Sequence, residues 1–157
     1  MYRVTNGELG NQYWAVIEPY WLPLNETWDE GIDEFVAQLH AAPLKVRHLY
    51  AAHWCQSEVL NGGFYQFFYN TTGILAPEAA VGFRSIGLQE WSAIVFEAMR
   101  YFGDIYPRDR MARLRCLAEN SAESANPFDA LDERFDGCSD GERHRWARAA
   151  DVYAASA

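Results

Sequence analysis

The chain of 157 residues carries 22 acidic and 13 basic residues, which gives a formal net charge of −9 and a pI near 4.8. Half of its residues are hydrophobic and 15% are aromatic, a composition that excludes intrinsic disorder and suffices for one domain with a sizeable core. The negative charge disfavours direct binding to nucleic acid or to an anionic membrane, because phosphate contacts require lysine and arginine, whereas it permits binding to a basic protein.

The start of the chain predicts an irregular N-terminal segment, followed by an interrupted helix. Residues 1–10 contain two glycines and little periodicity. Apolar residues at helical spacing then run from Tyr13 to Trp21. Pro19 and Pro23 interrupt this pattern, and because proline removes a backbone hydrogen-bond donor, we expect a short or kinked helix.

Two further helices are predicted in the first 60 residues. Residues 25–30 are expected to form a loop that leads into a helix over about 29–40. Acidic side chains crowd the first turn of that helix, where the helix dipole favours negative charge. Pro43 then precedes a longer helix over about 44–60, and both helices show an apolar face that predicts packing against a core.

The densest aromatic run of the chain follows a pair of glycines and predicts the centre of the core. Gly62 and Gly63 are expected to end or sharply bend the preceding helix. Five of the six residues from 64 to 69 are aromatic, so a helix over this range would be apolar nearly all round. Such a helix is normally buried, with other helices packed on several sides. We therefore expect the rest of the chain to be organised around it.

The remaining sequence predicts shorter helices separated by turn signals. Residues 70–73 form a turn, residues 120–126 a polar connector, and Ser139 with Glu142 a capping box for the last helix. The predicted helices cover 77–86, 88–102, 109–118, 127–135 and a final segment that ends near Tyr153. No strand pattern and no internal repeat is found in the sequence. We predict a single all-α domain over residues 1–157, with about seven to nine helices around the aromatic central helix.

Sequence signatures of enzymes and metal sites are absent from the chain. The three cysteines lie far apart, which indicates reduced thiols and no structural zinc. The four histidines show no metal-binding spacing, and no phosphate-binding loop, nucleophile elbow or dinucleotide fingerprint occurs. His53 stands beside Cys55, but side chains so close in sequence point to different sides of a helix. We therefore predict no catalytic residue and no metal site.

The sequence also lacks a targeting or membrane segment. The N-terminus has no basic-then-apolar pattern of a signal peptide. No apolar run approaches the 18 residues that suggest a transmembrane helix. We therefore expect a cytoplasmic protein with no membrane partner.

Polar residues punctuate the helix junction and define a candidate pocket. The candidate set consists of His53, Glu58, Asn61, Gly62, Gly63, Gln66 and Asn70. In a functional interpretation these groups would form a small binding site. In a structural interpretation, which we favour, the polar members cap the broken helix ends and satisfy buried backbone groups.

Acidic residues concentrate in two clusters separated by a basic segment. Residues 1–60 hold eight acids against three bases, residues 119–142 hold eight against one, and residues 100–118 hold five arginines against two aspartates. The first cluster consists of Glu26, Asp29, Glu30, Asp33 and Glu34, with like charges at i and i+4. The second consists of Asp129, Asp132, Glu133 and Asp136, whose spacing predicts one stripe on a helix. Carboxylates on such a stripe stand roughly 5–6 Å apart, comparable to phosphates along a nucleic-acid strand. Each cluster alone is more often a solvated surface than a binding site.

Several short segments of the chain resemble a bacterial family named after DNA-mimic proteins. They are the segments 49–55, with Glu58, and 61–70 (Asn-Gly-Gly-Phe-Tyr-Gln-Phe-Phe-Tyr-Asn), then Gly73, 76–79, 82–83, 86–87 and 131–135. The resemblance covers roughly residues 12–153. It implies a small, acidic, all-helical protein without a cofactor, whose surface carboxylates capture a DNA-binding protein.

The resemblance and the two acidic clusters together favour a non-enzymatic interaction protein. Both clusters would face a basic DNA-binding protein and so regulate it, and a homodimer through an apolar helix face is compatible with the sequence. One alternative is an immunity or antitoxin-like inhibitor of a basic toxin. Another is a small-ligand protein or enzyme whose site includes Glu58, Asn61 and Gln66.

Overall fold

A computed structural model of the chain describes residues 9–120, 125–138 and 144–157. The described residues form eight α-helices and three short 3-10 helices, without a strand. The α-helices are α1 Asn11–Glu26, α2 Ile32–Ala41, α3 Leu44–Tyr69, α4 Ala76–Ile86, α5 Gln89–Met99, α6 Arg110–Asn120, α7 Asp129–Gly137 and α8 Arg145–Ala155. The prediction of a single all-α domain is confirmed. The predicted capping box lies outside the described residues, as do residues 1–8 and most of the polar connector.

Helix α3 is the centre of the fold, as the aromatic run predicts. Its apolar side chains are buried along both halves, and α1, α4, α6, α7 and α8 pack against it. Phe64, Phe67 and Phe68 have no solvent exposure. Phe64 and Phe68 stack on one another and contact Phe128, at the start of α7, while Phe135 of α7 meets Phe64 edge to face. None of the described helices is both long enough and apolar enough to span a bilayer.

The predicted break in α3 is present at Gly62 and Gly63. Gly62 has φ −144° and ψ 19°, and Gly63 has φ 76° and ψ 179°, a backbone conformation that is essentially restricted to glycine. A side chain at Gly63 would also meet the carboxylate of Asp132, whose Oδ2 lies 2.5 Å from the ideal Cβ position. The break therefore divides α3 into a first half that ends near Leu60 and a second half that begins at Phe64.

The first two helices differ from their predicted bounds. Helix α1 is not short, because it continues for 16 residues with Pro19 and Pro23 inside it. Both prolines are exposed, on the side of the helix where water can satisfy the backbone carbonyls that they leave without a donor. Asp29 and Glu30 precede α2 instead of forming its first turn, because Asp29 ends a 3-10 helix and Gly31 separates both residues from Ile32.

Charged side chains from other helices satisfy several helix ends. No side chain at the N-cap position of α1, α2, α3, α4, α5, α7 or α8 caps its own helix. Instead, Asp151 of α8 accepts hydrogen bonds from the backbone N–H of Gly10 (2.6 Å) and Tyr13 (3.0 Å) at the start of α1. Asp132 of α7 accepts from the N–H of Phe64 (2.8 Å), where the second half of α3 begins. These contacts tie the last two helices to the first and third.

Replacement of Gly63 by alanine is expected to reduce the free energy of unfolding. The substitution forces a side chain into the disfavoured conformation and against Asp132, and we expect a cost of roughly 2–4 kcal/mol by urea denaturation. Gly87→Ala is the matched control, because Gly87 also has a positive φ of 94° but has no atom within 4 Å of the ideal Cβ position. We expect about 1 kcal/mol for Gly87→Ala. Equal costs for the two variants would contradict the role assigned to Asp132.

Candidate functional site

The polar residues of the helix junction form one hydrogen-bonded network centred on Glu58. Oε2 of Glu58 accepts hydrogen bonds from Gln66 Nε2 (2.6 Å) and Asn70 Nδ2 (3.1 Å), and Oε1 accepts from Thr72 Oγ1 (3.0 Å). Asn61 Nδ2 donates to Gln66 Oε1 at 3.3 Å. The network bridges the first half of α3, its second half and the turn that follows.

The structure thus brings together four of the predicted residues and adds one that the sequence analysis missed. Thr72 is buried, and its hydroxyl completes the coordination of the Glu58 carboxylate. In the sequence, the position of Thr72 in the turn that follows Asn70 could have indicated that it joins this network. Gln66 folds back over the break, so that a side chain at Gly62 would lie 1.9 Å from Gln66 Oε1. Gly62 therefore makes room for the side chain that links Asn61 to Glu58.

The network has the geometry of a structural clamp. Each donor atom named above is directed to Glu58 or to Gln66, so the network is formed between side chains of the protein itself. No group of three or more side chains among the described residues is arranged to hold a metal ion. Two surface grooves, of about 260 and 390 Å³, are lined by residues of α4, α5, α7 and α8 and by no member of the candidate set. This geometry supports a structural role for the junction, but one that differs from the predicted role: its side chains bond to one another and not to the backbone groups at the broken helix ends.

His53 does not belong to the junction, which corrects the candidate set. Its Nδ1 lies 3.2 Å from the hydroxyl of Tyr13, and its ring packs against Trp14, Trp21 and Trp54. Burial lowers the pKa of His53 to about 4. His53 precedes Glu58 by five residues, or about one and a half helical turns, so the two side chains lie on different sides of α3. The side of His53 faces the aromatic side chains of α1.

Cys55 offers no nucleophile to complement His53. The thiol is fully buried, and burial, followed by the nearby negative charge of Glu58, raises its pKa. A buried thiol with a raised pKa is protonated at neutral pH and unreactive. The structure therefore shows no Cys/His pair at this position.

The first acidic cluster lies at the corner between α1 and α2. We call Glu26, Asp29, Glu30, Asp33 and Glu34 the corner cluster; all five residues are exposed. None of their carboxylates makes a hydrogen bond or an ion pair with the described residues. The cluster spans the end of α1, a 3-10 helix, Gly31 and the first turn of α2, so the predicted i, i+4 helical pairs are not present. The carboxylates are accessible to a partner but do not form a regular row.

The second acidic cluster lies along α7, and the side chain of one member points into the protein. We call Asp129, Asp132, Glu133 and Asp136 the α7 stripe; Asp129, Glu133 and Asp136 are exposed. Asp132 is half-buried against Gly63 and Phe64, where burial raises its pKa although the N–H of Phe64 opposes that shift. The structure therefore leaves three outward carboxylates and assigns the fourth to the α3 junction.

Of the five arginines between the clusters, Arg108 and Arg113 are engaged inside the fold, whereas Arg100 and Arg115 are exposed. Arg113 is fully buried without a carboxylate partner, and its guanidinium donates to the backbone carbonyls of Phe68 (2.9 Å), Asn70 (3.0 Å), Pro107 (3.3 Å) and Arg108 (2.6 Å). It thereby caps the C-terminal end of α3, where a cation is favoured. The basic segment predicted from the sequence is thus partly withdrawn from the surface.

Arg108 is engaged in the same way, by a buried carboxylate. Its guanidinium forms two hydrogen bonds to Glu78, of 2.7 and 3.0 Å, and His40 Nε2 lies 2.9 Å from the same carboxylate. Burial alone would raise the pKa of Glu78, but the hydrogen bonds from Arg108 and His40 outweigh it and lower that pKa. Arg108 therefore neutralises an interior charge and contributes little to the outer surface.

Comparison with known proteins identifies a match over most of the chain. A family model described as DMP19-like protein matches residues 40–154. No curated protein and no solved structure matches the chain. The matched range contains the junction network and the α7 stripe. It begins later than the resemblance over residues 12–153 suggested, so the corner cluster lies outside it.

Gln66→Ala is expected to destabilise the protein more than Asn61→Ala. Loss of Gln66 removes a 2.6 Å hydrogen bond to a charged carboxylate, which we expect to reduce the free energy of unfolding by roughly 1.5–3 kcal/mol. Asn61 is exposed and makes one longer contact, so its replacement is expected to cost less than about 0.5 kcal/mol. Urea denaturation measures both. A negligible effect of Gln66→Ala would remove the basis for a structural clamp.

His53 is expected to make stability depend on pH between about 6.5 and 4. Because its pKa is lowered in the folded protein, the unfolded chain binds more protons in this window, so stability is complete above pH 6.5 and falls as the pH approaches 4. The loss attributable to His53 is roughly 3 kcal/mol at most. Denaturation of wild type and His53→Phe at pH 7 and pH 4.5 isolates it. The variant should lose less stability on acidification, and parallel losses would contradict the assignment.

Proposed function

This chain belongs to the DMP19-like family, and on that premise we propose that it is a non-enzymatic DNA mimic that presents carboxylates to a basic DNA-binding protein and so regulates it. The family match covers residues 40–154. The proposal further assigns the principal contact to the outward carboxylates of the α7 stripe, which lie within that range, and a secondary contact to the corner cluster.

The unequal use of charge in the fold is the observation that carries this proposal. Five basic side chains donate hydrogen bonds to backbone carbonyls near helix ends. Lys45 donates to Ala154 and Ser156, Arg47 to His40, and Arg110 to Tyr69. Arg113 donates to four carbonyls and Arg145 to that of Cys138. The corner cluster, Asp129 and Glu133 are exposed, as are Arg84, Arg100 and Arg115. These exposed carboxylates and the net charge of −9 favour a basic partner.

The position of α7 supports its choice as the principal contact. The helix is fixed to the core by Phe135, which stacks on Trp91 at 4.6 Å, and by the Asp132 hydrogen bond to Phe64. Asp129 and Glu133 stand four residues apart on its exposed side, a separation of roughly 6 Å. Carboxylates held at such a spacing on an immobile helix can replace successive phosphates in contacts to a DNA-binding surface.

Binding of the partner should weaken when the α7 carboxylates are neutralised. We expect Asp129→Asn/Glu133→Gln to reduce affinity roughly 2- to 30-fold, the sum of two exposed ion pairs. The control is Glu18→Gln/Glu119→Gln, which removes the same charge from two other exposed positions. The neutralised corner cluster forms a third variant, expected to have the smaller effect per carboxylate removed.

The measurement starts from immobilised protein and a native lysate. A captured protein supports the proposal when it binds DNA by itself, when DNA and this protein exclude each other in a gel-shift titration, and when affinity falls severalfold between about 50 and 200 mM salt. A captured protein without DNA-binding activity would instead support the inhibitor of a basic toxin. Equal affinity of the α7 and control variants would refute the assignment to α7.

A further inference from the structure

The outer face of α3 carries a short stack of aromatic rings that ends in a cation. Tyr65 and Tyr69, one turn apart in the second half of α3, stack at 6.1 Å between ring centroids with an interplanar angle of 19°. The guanidinium of Arg110 lies 5.3 Å from the centroid of Tyr69, and its Nε donates to the carbonyl of Tyr69. Arg110 therefore occupies the end of the stack that corresponds to the C-terminus of α3.

The opposite end of the stack is open. Tyr65 is 38% exposed and Tyr69 46% exposed. No ring or cation other than the ring of Tyr69 stacks on Tyr65 among the described residues. The core packing of α3 explains Phe64, Phe67 and Phe68, but it does not account for two tyrosines held side by side in solvent.

The open end of the tyrosine stack lies toward the break in α3, and α7 is attached to α3 at that break. Asp132 accepts a hydrogen bond from the backbone N–H of Phe64, the residue directly before Tyr65. Asp129 and Glu133 lie on the same helix as Asp132 and are exposed. The open end of the tyrosine stack and the helix that carries these carboxylates thus lie at the same end of the second half of α3.

We propose that the open face of Tyr65, beside the outward carboxylates of α7, binds an arginine side chain of the partner. This inference rests on the proposed function and names the chemistry of its contact. A guanidinium is planar and weakly hydrated, so it stacks on an aromatic ring while its N–H groups pair with carboxylates, whereas an ammonium is a compact, strongly hydrated charge. Arg110 on Tyr69 shows the same contact within the protein. Tyrosine and arginine are also the residue types that dominate binding energy at interfaces.

The test uses two fluorescein-labelled peptides of equal length, one with four arginines alternating with alanine and the other with four lysines in the same places. Fluorescence anisotropy gives both affinities for the full chain. We expect the arginine peptide to bind roughly two- to fivefold more tightly than the lysine peptide, the effect of one cation–π contact at an exposed site. Equal affinities for the wild type would overturn the inference.

Variants separate the aromatic contribution from the charge. Tyr65→Leu is expected to abolish the preference for arginine, and Tyr65→Phe, which keeps the ring, to retain it. Asp129→Asn/Glu133→Gln should weaken both peptides. Because Tyr65 is exposed, the melting temperature of each variant is expected to match the wild type, which excludes unfolding as the cause. An unchanged preference in Tyr65→Leu would overturn the inference.

The outcome is distinguishable from that of the proposed function. If a DNA-binding partner is captured in competition with DNA but Tyr65→Leu binds it as well as the wild type does, the arginine site fails and the mimic stands. If the arginine preference depends on Tyr65 but no captured protein binds DNA, the arginine site stands and its partner is a basic protein of another class.

Discussion

The break at the centre of α3 is the constraint on which the rest of the structure depends. A helix interrupted inside a protein leaves backbone N–H and C=O groups that need partners, and a buried group without one costs about 1–3 kcal/mol. The chain supplies these partners from a distance. Asp132 satisfies the backbone N–H of Phe64 at the break. Glu58 satisfies no backbone group, but it joins the two halves of α3 by accepting hydrogen bonds from the side chains of Gln66 and Asn70. At the far end of α3, Arg113 and Arg110 satisfy the terminal carbonyls. The hydrogen bonds that satisfy backbone groups of α3 thus also attach α6 and α7 to it.

This arrangement also determines where the charge of the protein is displayed. Cations are favoured at helix C-termini, and the fold places Lys45, Arg47, Arg110 and Arg113 at such ends, each bonded to backbone carbonyls. Acidic residues are engaged as well: Asp109, Asp132 and Asp151 accept from backbone N–H groups at helix starts, Glu78 pairs with Arg108, and Glu58 accepts from the junction side chains. The chain has 22 acids and 13 bases, so the excess of negative charge follows from its composition.

The sequence predicted those features that depend on near neighbours in the chain. Periodicity indicated the helices, the pair of glycines indicated the break, and the spacing of Glu58, Asn61, Gln66 and Asn70 placed them at one junction. It could not predict features that depend on contacts between distant segments. The inward turn of Asp132 requires the approach of α7 to Gly63, and the burial of Arg113 requires the end of α3, about 45 residues earlier. His53 was misplaced for the same reason, since α1 supplies its surroundings. The full length of α1 depends on the exposure of both prolines, which the pattern of apolar residues did not show.

The difference between the two acidic surfaces follows from how each is held. The corner cluster spans two helix ends and a glycine, so its five carboxylates lie on backbone of three different kinds. The carboxylates of Asp129 and Glu133 lie on one helix that is fixed at both ends of its inner face, by Phe128 and Phe135 against Phe64 and by Asp132 at the break. Carboxylates on one packed helix keep a regular spacing, whereas those of the corner cluster do not, and a set that already has the spacing of its partner's contacts needs less rearrangement on binding. Asp132 points inward and does not contribute to the exposed part of the α7 stripe. Its hydrogen bond to Phe64 instead helps to hold α7 against α3, and with it the spacing of Asp129 and Glu133.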